Sequence, residues 1–290
     1  MTFVDKFALL SSCRLFSTFF TRKKFQCISA VRFHMDIKNE AKSSMEIVNI
    51  PPIISTYRHA LRTFDDKFKN EFTTNLSKLK IMMDSLKPED LGFDATLGDP
   101  ATWSQPNKAP CTYIEVFQNS RINMSIFVLQ PGFKMPLHDH PHMHGLLKVI
   151  VGAVKIRSFS EYPLKDALDT IDFVVRAKHE AARLAHGFHK RRRLFAKVSN
   201  NSVCRANSET CTLTPTVSNY HEIEALEMPA AFFDILSPPY DTLIEGIGPR
   251  RCRYYQVVNE ISSNVVELQE TDVPRCFYCD QAPYLGPILA

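Results

Sequence analysis

The sequence predicts a mainly β fold, an antiparallel sandwich or small barrel, with two helices ahead of it. Two observations carry this expectation. After Pro100 the chain becomes a series of short runs rich in Val, Ile, Phe and Tyr: "TYIEVFQ", "INMSIFVLQPG", "GLLKVIVG", "AVKIRSF" and later "AAFFDILSPPYD" and "CRYYQVVNE". Turn residues such as "QNSR" and "PG" separate them, and few helical patterns lie between, which favours an all-β arrangement. No internal repeat is visible.

The bulk numbers fit a globular protein. The chain has 290 residues, 44% hydrophobic and 23% charged, with a net charge of +4. That charge is small and does not call for a nucleic-acid partner. Eight scattered cysteines are too sparse for a disulfide framework and suit free thiols in a reducing compartment. No apolar run reaches the roughly 18–20 residues of a membrane helix, so no membrane insertion is expected.

The first 34 residues hold one acid, Asp5, against Lys6, Arg14, Arg22, Lys23, Lys24 and Arg32, with many Ser and Phe. Such a leader reads as a mitochondrial transit peptide or a disordered basic tail, so the compartment is cytoplasmic or mitochondrial. Residues 35–55 read as linker, and 56–290 as one domain.

Within that domain, Tyr57, Leu61, Phe64, Phe68 and Phe72 recur at helical spacing. Leu76, Leu79, Met83 and Leu86 repeat the pattern, with Thr74 or Asn75 as cap and Pro88 as stop. A basic stretch near 172–203 contains Lys190, Arg191, Arg192 and Arg193, and reads as a solvated face, an import patch or an RNA-touching surface. His186 and His189 there could meet on one helical turn. "CFYC" at Cys276–Cys279 lacks a second metal-binding pair and reads as a strand or loop packed on the barrel.

The chemistry concentrates in "PLHDHPHMHGLLKVIVG", with histidines at 138, 140, 142 and 144. On a strand, His138 and His140 share a face while Asp139 points away. Pro141 then interrupts pairing. A metal would need a further ligand from elsewhere, and His221 in "SNYHEIEAL" is the best candidate.

The spacing Gly132, His138, His140, Gly145, Gly152 resembles the first cupin motif, in which a Glu or Gln ligand normally follows the two histidines. Here that position falls on His144 or Gly145, which leaves three neutral imidazoles and no carboxylate. Uncompensated metal charge favours an anionic ligand such as a thiolate. "PLHDHPHMHGLLKV" resembles the metal motif of the cysteamine (2-aminoethanethiol) dioxygenase and plant cysteine oxidase family. "NLSKLK", "CTLTP", "NYHEIEA", "PAAFFDILSPPYD", "CRYYQV" and "PYLGP" agree in order over roughly residues 70–290.

The resemblance implies a cupin double-stranded β-helix (a jelly-roll barrel) with N-terminal helices. It implies Fe(2+) on His138, His140 and His221, and dioxygen added to a thiol to give a sulfinic acid. The implied substrates are cysteamine and peptides or proteins with an N-terminal cysteine, and the implied state is a monomer; oxidation of protein termini would make the enzyme an oxygen sensor. Asp234 would lie on the pocket wall and hold the substrate ammonium or take its proton. Tyr240 would offer a hydroxyl to substrate or oxygen. Cys252 and Tyr254, again i and i+2, could be oxidised to a thioether.

Two departures stand out: His142 occupies a position where relatives usually carry glycine, and the basic stretch is poorly matched. The alternatives are a cupin enzyme using another metal without redox chemistry, and a cupin without catalysis.

Overall fold

The computed structural model describes residues 50–163, 171–185 and 191–289. The leader, the linker up to residue 49, and His186, His189 and Lys190 lie outside the described residues. The helical elements are α1 (Pro52–Thr63), α2 (Phe72–Asp84), α3 (Pro100–Trp103) and α4 (Phe173–Ala185). The first strands are β1 (Cys111–Gln118), β2 (Asn123–Leu129), β3 (Lys134–Asp139), β4 (His144–Val151), β5 (Ala153–Glu161), β6 (Arg193–Arg205) and β7 (Cys211–Leu213). There follow β8 (Tyr220–Ala225), β9 (Ala230–Ser237), β10 (Leu243–Ile244), β11 (Gly248–Pro249), β12 (Tyr254–Glu260), β13 (Val265–Thr271) and β14 (Cys279–Gln281).

The strands make the expected mainly β body. One sheet runs β14-β1-β2-β9-β4-β7, and a second set, β12-β13-β6-β5-β8-β3, closes on itself. All the strand neighbours are antiparallel except β1 and β14, which are parallel. Between the two layers Leu129, Val149 and Phe232 meet Met135, Ile156 and Ile223 in one apolar cluster. Gly132 and Gly152, with φ of +71° and +70°, take left-handed turn conformations before β3 and β5 that a Cβ would strain. At Gly152 a Cβ would also strike the Pro229 carbonyl at 2.4 Å.

The helices cover the outer face of the first sheet. Ile53, Tyr57 and Ala60 of α1 and Leu79 and Met83 of α2 are buried against Ile114, Met124, Ile126, Phe233 and Ile235. Each such side chain contributes about 1.5–3 kcal/mol of burial. Sequence periodicity over residues 57–72 suggests one helix, yet the helix starts at Pro52 and ends at Thr63. Asp65 accepts the Lys67 amide at 3.0 Å, and this local bond competes with helical pairing. A short 3-10 turn, Asp66–Glu71, follows. The linker expected over 35–55 therefore gives way to structure by Pro52. Asn75 is not the cap of α2, which begins at Phe72; it is buried, with its carbonyl 2.9 Å from His59 Nε2.

The basic stretch near 172–203 also divides differently from the sequence expectation. Residues from Arg193 onward are β6, paired with both β5 and β13, and so belong to the barrel itself. Arg191 and Arg192 pair with Asp272 and Glu161. "CFYC" ends in β14, where Cys279 lies beside Cys111. The Asp280 carboxylate accepts from Thr112 and Lys108. Beyond it, the backbone around Gly286 lies so close to Gly92 that a Cβ on Gly92 would sit 2.3 Å from the Gly286 nitrogen. The last residues thus strap the sheet edge to the helical layer.

Candidate metal centre and substrate pocket

β3 and β8 lie side by side with His138 opposite His221. Residues directly opposite on antiparallel strands share a face, so the two imidazoles emerge on the same side. His140 follows β3 and is fixed by Asn219, whose amide donates to the His140 carbonyl at 2.8 Å while its oxygen accepts the His140 amide at 3.2 Å. The three rings come within 4.7–4.9 Å of one another, centre to centre. Their ligating nitrogens all lie within 4.8 Å of each other and all three residues are buried. This is the one such cluster of three His, Cys, Asp or Glu among the described residues.

Hydrogen bonds fix the tautomers. His138 Nδ1 donates to the Pro136 carbonyl at 2.8 Å. The Tyr240 hydroxyl donates to the Asp139 carbonyl at 2.7 Å and so accepts from His140 Nδ1 at 2.9 Å. Each of these rings is left with a lone pair on Nε2. Burial pushes the pKa of His138 down to about 4. Burial, and then the neighbouring rings, hold His140 and His221 well below the usual imidazole range. Neutral imidazole is the form that binds a metal.

His140 Nε2 and His221 Nε2 face each other at 3.2 Å. Two nitrogens each about 2.1 Å from one ion, at right angles, would be about 3 Å apart. The donor set therefore fits a divalent metal bound by three nitrogens on one face.

The other two histidines point elsewhere. His142 is exposed and adopts φ +54°, a conformation that explains why glycine suits the position. His144 faces the helical layer, against Phe64 and Phe72. It supplies no carboxylate and no fourth ligand.

The three histidines sit in the wall of a cavity of about 470 Å3. Phe127, Met135, Ile223, Val273 and Phe277 make its apolar lining. Asp234 lines it too, as expected, from β9. Asp234 is 7% exposed, has no side-chain hydrogen bond among the described residues, and burial pushes its pKa up to about 8. Tyr240 also lines the cavity, but its hydroxyl is engaged with His140 and the Asp139 carbonyl, whereas the sequence reading gave it to substrate. Cys252 precedes β12 instead of lying on a strand with Tyr254, and it lines the cavity together with Tyr240 and Tyr254. Burial raises the pKa of this thiol to about 12.

Sequence reasoning missed several residues here. Asn219 orients His140, as described. Asp139, pointing away from the histidines, accepts from the Arg253 amide at 2.8 Å and the Tyr255 hydroxyl at 3.0 Å. Ser125 and Tyr113 bring hydroxyls to the Asp234 side of the cavity. Asn219 and Asp139 lie beside the metal-site histidines in sequence, but their partners come from other elements, and Ser125 and Tyr113 reach the cavity only through strand order.

The sequence profile described as PCO_ADO matches residues 82–289. The chain is 34% identical over 240 residues to 2-aminoethanethiol dioxygenase of Homo sapiens, covering 74% of this chain and 82% of that protein. It is 28% identical over 188 residues to plant cysteine oxidase 1 of Arabidopsis thaliana, covering 62% and 54%. Among solved structures it is similar to a double-stranded beta-helix domain protein from Klebsiella pneumoniae, at 13% identity, TM-score 0.29, and 48% and 87% coverage.

Proposed function

The chain belongs to the PCO_ADO family, and from that premise we propose that it is a thiol dioxygenase acting on cysteamine or on the N-terminal cysteine of peptides and proteins. The observation that carries the reading is the set of three buried, neutral histidines with no carboxylate among them, set in a cavity far larger than cysteamine itself. We assign His138, His140 and His221 as the metal ligands and Fe(2+) as the metal. Bound there, ferrous iron supplies a site where thiolate and dioxygen can meet and exchange electrons.

The chain's own residues then have separable tasks. Pro136 and Tyr240 hold two imidazoles in the tautomer that presents Nε2. Asp234, poised near neutral pH, pairs with the substrate ammonium or takes the proton released as thiol becomes thiolate. The apolar wall excludes bulk water around the reacting sulfur. A thioether cross-link between Cys252 and Tyr254, which both line the cavity, would remove two hydrogens, detectable as that mass loss in their peptide. The described cysteines are all unpaired, in keeping with a cytoplasmic or mitochondrial site, and the working unit is taken as a monomer. No helix among the described residues is long and apolar enough to cross a membrane.

The test is anaerobic loading with ferrous iron, then oxygen, with mass spectrometry of cysteamine and an N-terminal-cysteine peptide side by side. Gain of two oxygens that is lost in His221→Ala is the expected result. No gain with either thiol at full iron occupancy would overturn the reading in favour of a non-catalytic cupin.

A further inference from the structure

The pocket mouth carries a feature that neither the metal centre nor Asp234 requires. Tyr240, Asp241, Arg251 and Cys252 line the cavity, and the chain between them leaves the barrel as the β10–β11 hairpin. On it Leu243, the first residue of β10, is 79% exposed and Ile247, in the turn beside the exposed Glu245, is 66% exposed. The hairpin is built to hold its place. At its base the Asp241 amide donates to the Arg250 carbonyl at 2.8 Å and the Arg250 amide donates to the Thr242 carbonyl at 2.9 Å. The Ile247 amide closes the turn on the Ile244 carbonyl, with Gly246 at φ +73°. Arg250 is itself buried, and its guanidinium donates to the Pro141 carbonyl at 2.5 Å, in the turn that directly follows His140. A fixed hairpin with exposed apolar side chains is thus anchored to the same turn that follows a metal-site histidine.

Resting on the dioxygenase reading above, we infer that this hairpin is a docking lip that receives apolar side chains of a polypeptide just after its N-terminal cysteine. Three arguments fix that occupant. The base of the hairpin lines the cavity, and Leu243 lies two residues beyond Asp241, roughly 7 Å of extended chain. A polypeptide whose first residue sits at the histidines and whose chain leaves past Asp241 meets these side chains within its next few residues. Asp241 and Arg251 at the base carry opposite charges, so they favour neither sign of substrate, and the exposed apolar side chains supply the selectivity. Two side chains are too little area to hold a second copy of the chain, whereas they match one or two side chains of a bound peptide. Cysteamine, which ends inside the cavity, never reaches them.

The test compares the full-length wild-type chain with Leu243→Asp/Ile247→Asp. Both positions are exposed, so the fold should tolerate the change. Cysteamine, an N-terminal-cysteine hexapeptide with Leu and Val at positions two to four, and its Ser-substituted counterpart are followed by oxygen incorporation. The expected result is that kcat/KM for the apolar peptide falls about tenfold, through KM. This is the scale of losing one well-buried aliphatic contact. Turnover of cysteamine stays within twofold, and the preference for the apolar peptide disappears. Anaerobic fluorescence anisotropy of the same peptides, labelled at the C-terminus, gives affinity without turnover. Unchanged peptide affinity in the variant, or an equal loss of cysteamine turnover, overturns the lip. Wild-type chain that incorporates no oxygen counts instead against the dioxygenase reading, and the anaerobic affinities still decide the lip.

Discussion

On the wall of the pocket made by β3 and β8, the polar groups are already engaged. His138 is tied to Pro136, His140 to Tyr240 and Asn219, and Asp139 to Arg253 and Tyr255. On the facing wall, Asp234 of β9 lies directly across from Ser125 of β2, and the Ser125 hydroxyl is buried without a hydrogen-bond partner. Tyr113, beside Ser125, receives a long 3.4 Å bond from Asn123. Buried polar atoms normally find partners, so this wall is incomplete until something polar arrives. The difference separates two tasks: one wall is preorganised to hold an ion, and the other keeps binding capacity for a substrate.

The contrast can be broken most severely on the engaged wall. His138→Ala removes one of three nitrogens and should abolish stable metal loading. Activity is expected to fall at least about a thousandfold, read by metal analysis and sulfinate yield together.

On the facing wall, Asp234→Asn should leave metal content intact and lower kcat/KM about a hundredfold. The same variant has a second signature. A carboxyl whose pKa rises on folding, from 3.8 to about 8, supports the fold while protonated. That support is complete below about pH 4 and is lost as pH rises through 8. From this group alone the metal-free wild type should lose on the order of 5 kcal/mol between pH 4 and pH 9, a slope opposite in sign to that of the three buried histidines and isolated by comparing wild type with Asp234→Asn. Asn at 234 should flatten that slope in denaturant titrations.

Tyr240→Phe sharpens the comparison by touching the engaged wall without removing a ligand. Loss of the His140 Nδ1 partner should weaken metal affinity about 10–100-fold, measured by competition with a chelator. The smallest effect lies outside both walls. His142→Gly relieves a left-handed residue and should add about 1 kcal/mol to unfolding free energy, leaving turnover unchanged.

What could be read in the sequence follows the same division. The HxH spacing singled out His138 and His140, although β3 ends at Asp139 and Asn219, not strand parity, orients His140. His221 and Asp234 were legible as members of ordered motifs. Ser125 and Tyr113 were not, because β2 and β1 reach the site only through the sheet order, and Asn219, though it stands in the same motif as His221, shows its role only in its bonds to His140. The end of α1 was misjudged because Asp65 offers the backbone an alternative bond that apolar periodicity does not register. His142 was recognised as odd, but only its φ shows that it faces outward.

The strap at the end of the chain has a consequence for synthesis. β14 closes the edge beside β1, and Phe277, just before it, lines the substrate cavity. All three metal-site histidines have been translated well before these residues exist. A ribosome-bound chain can therefore assemble the histidine cluster while the cavity wall is still unfinished. Full enclosure of the reaction chamber waits for residues 277–281, so the ion site comes ahead of its vessel.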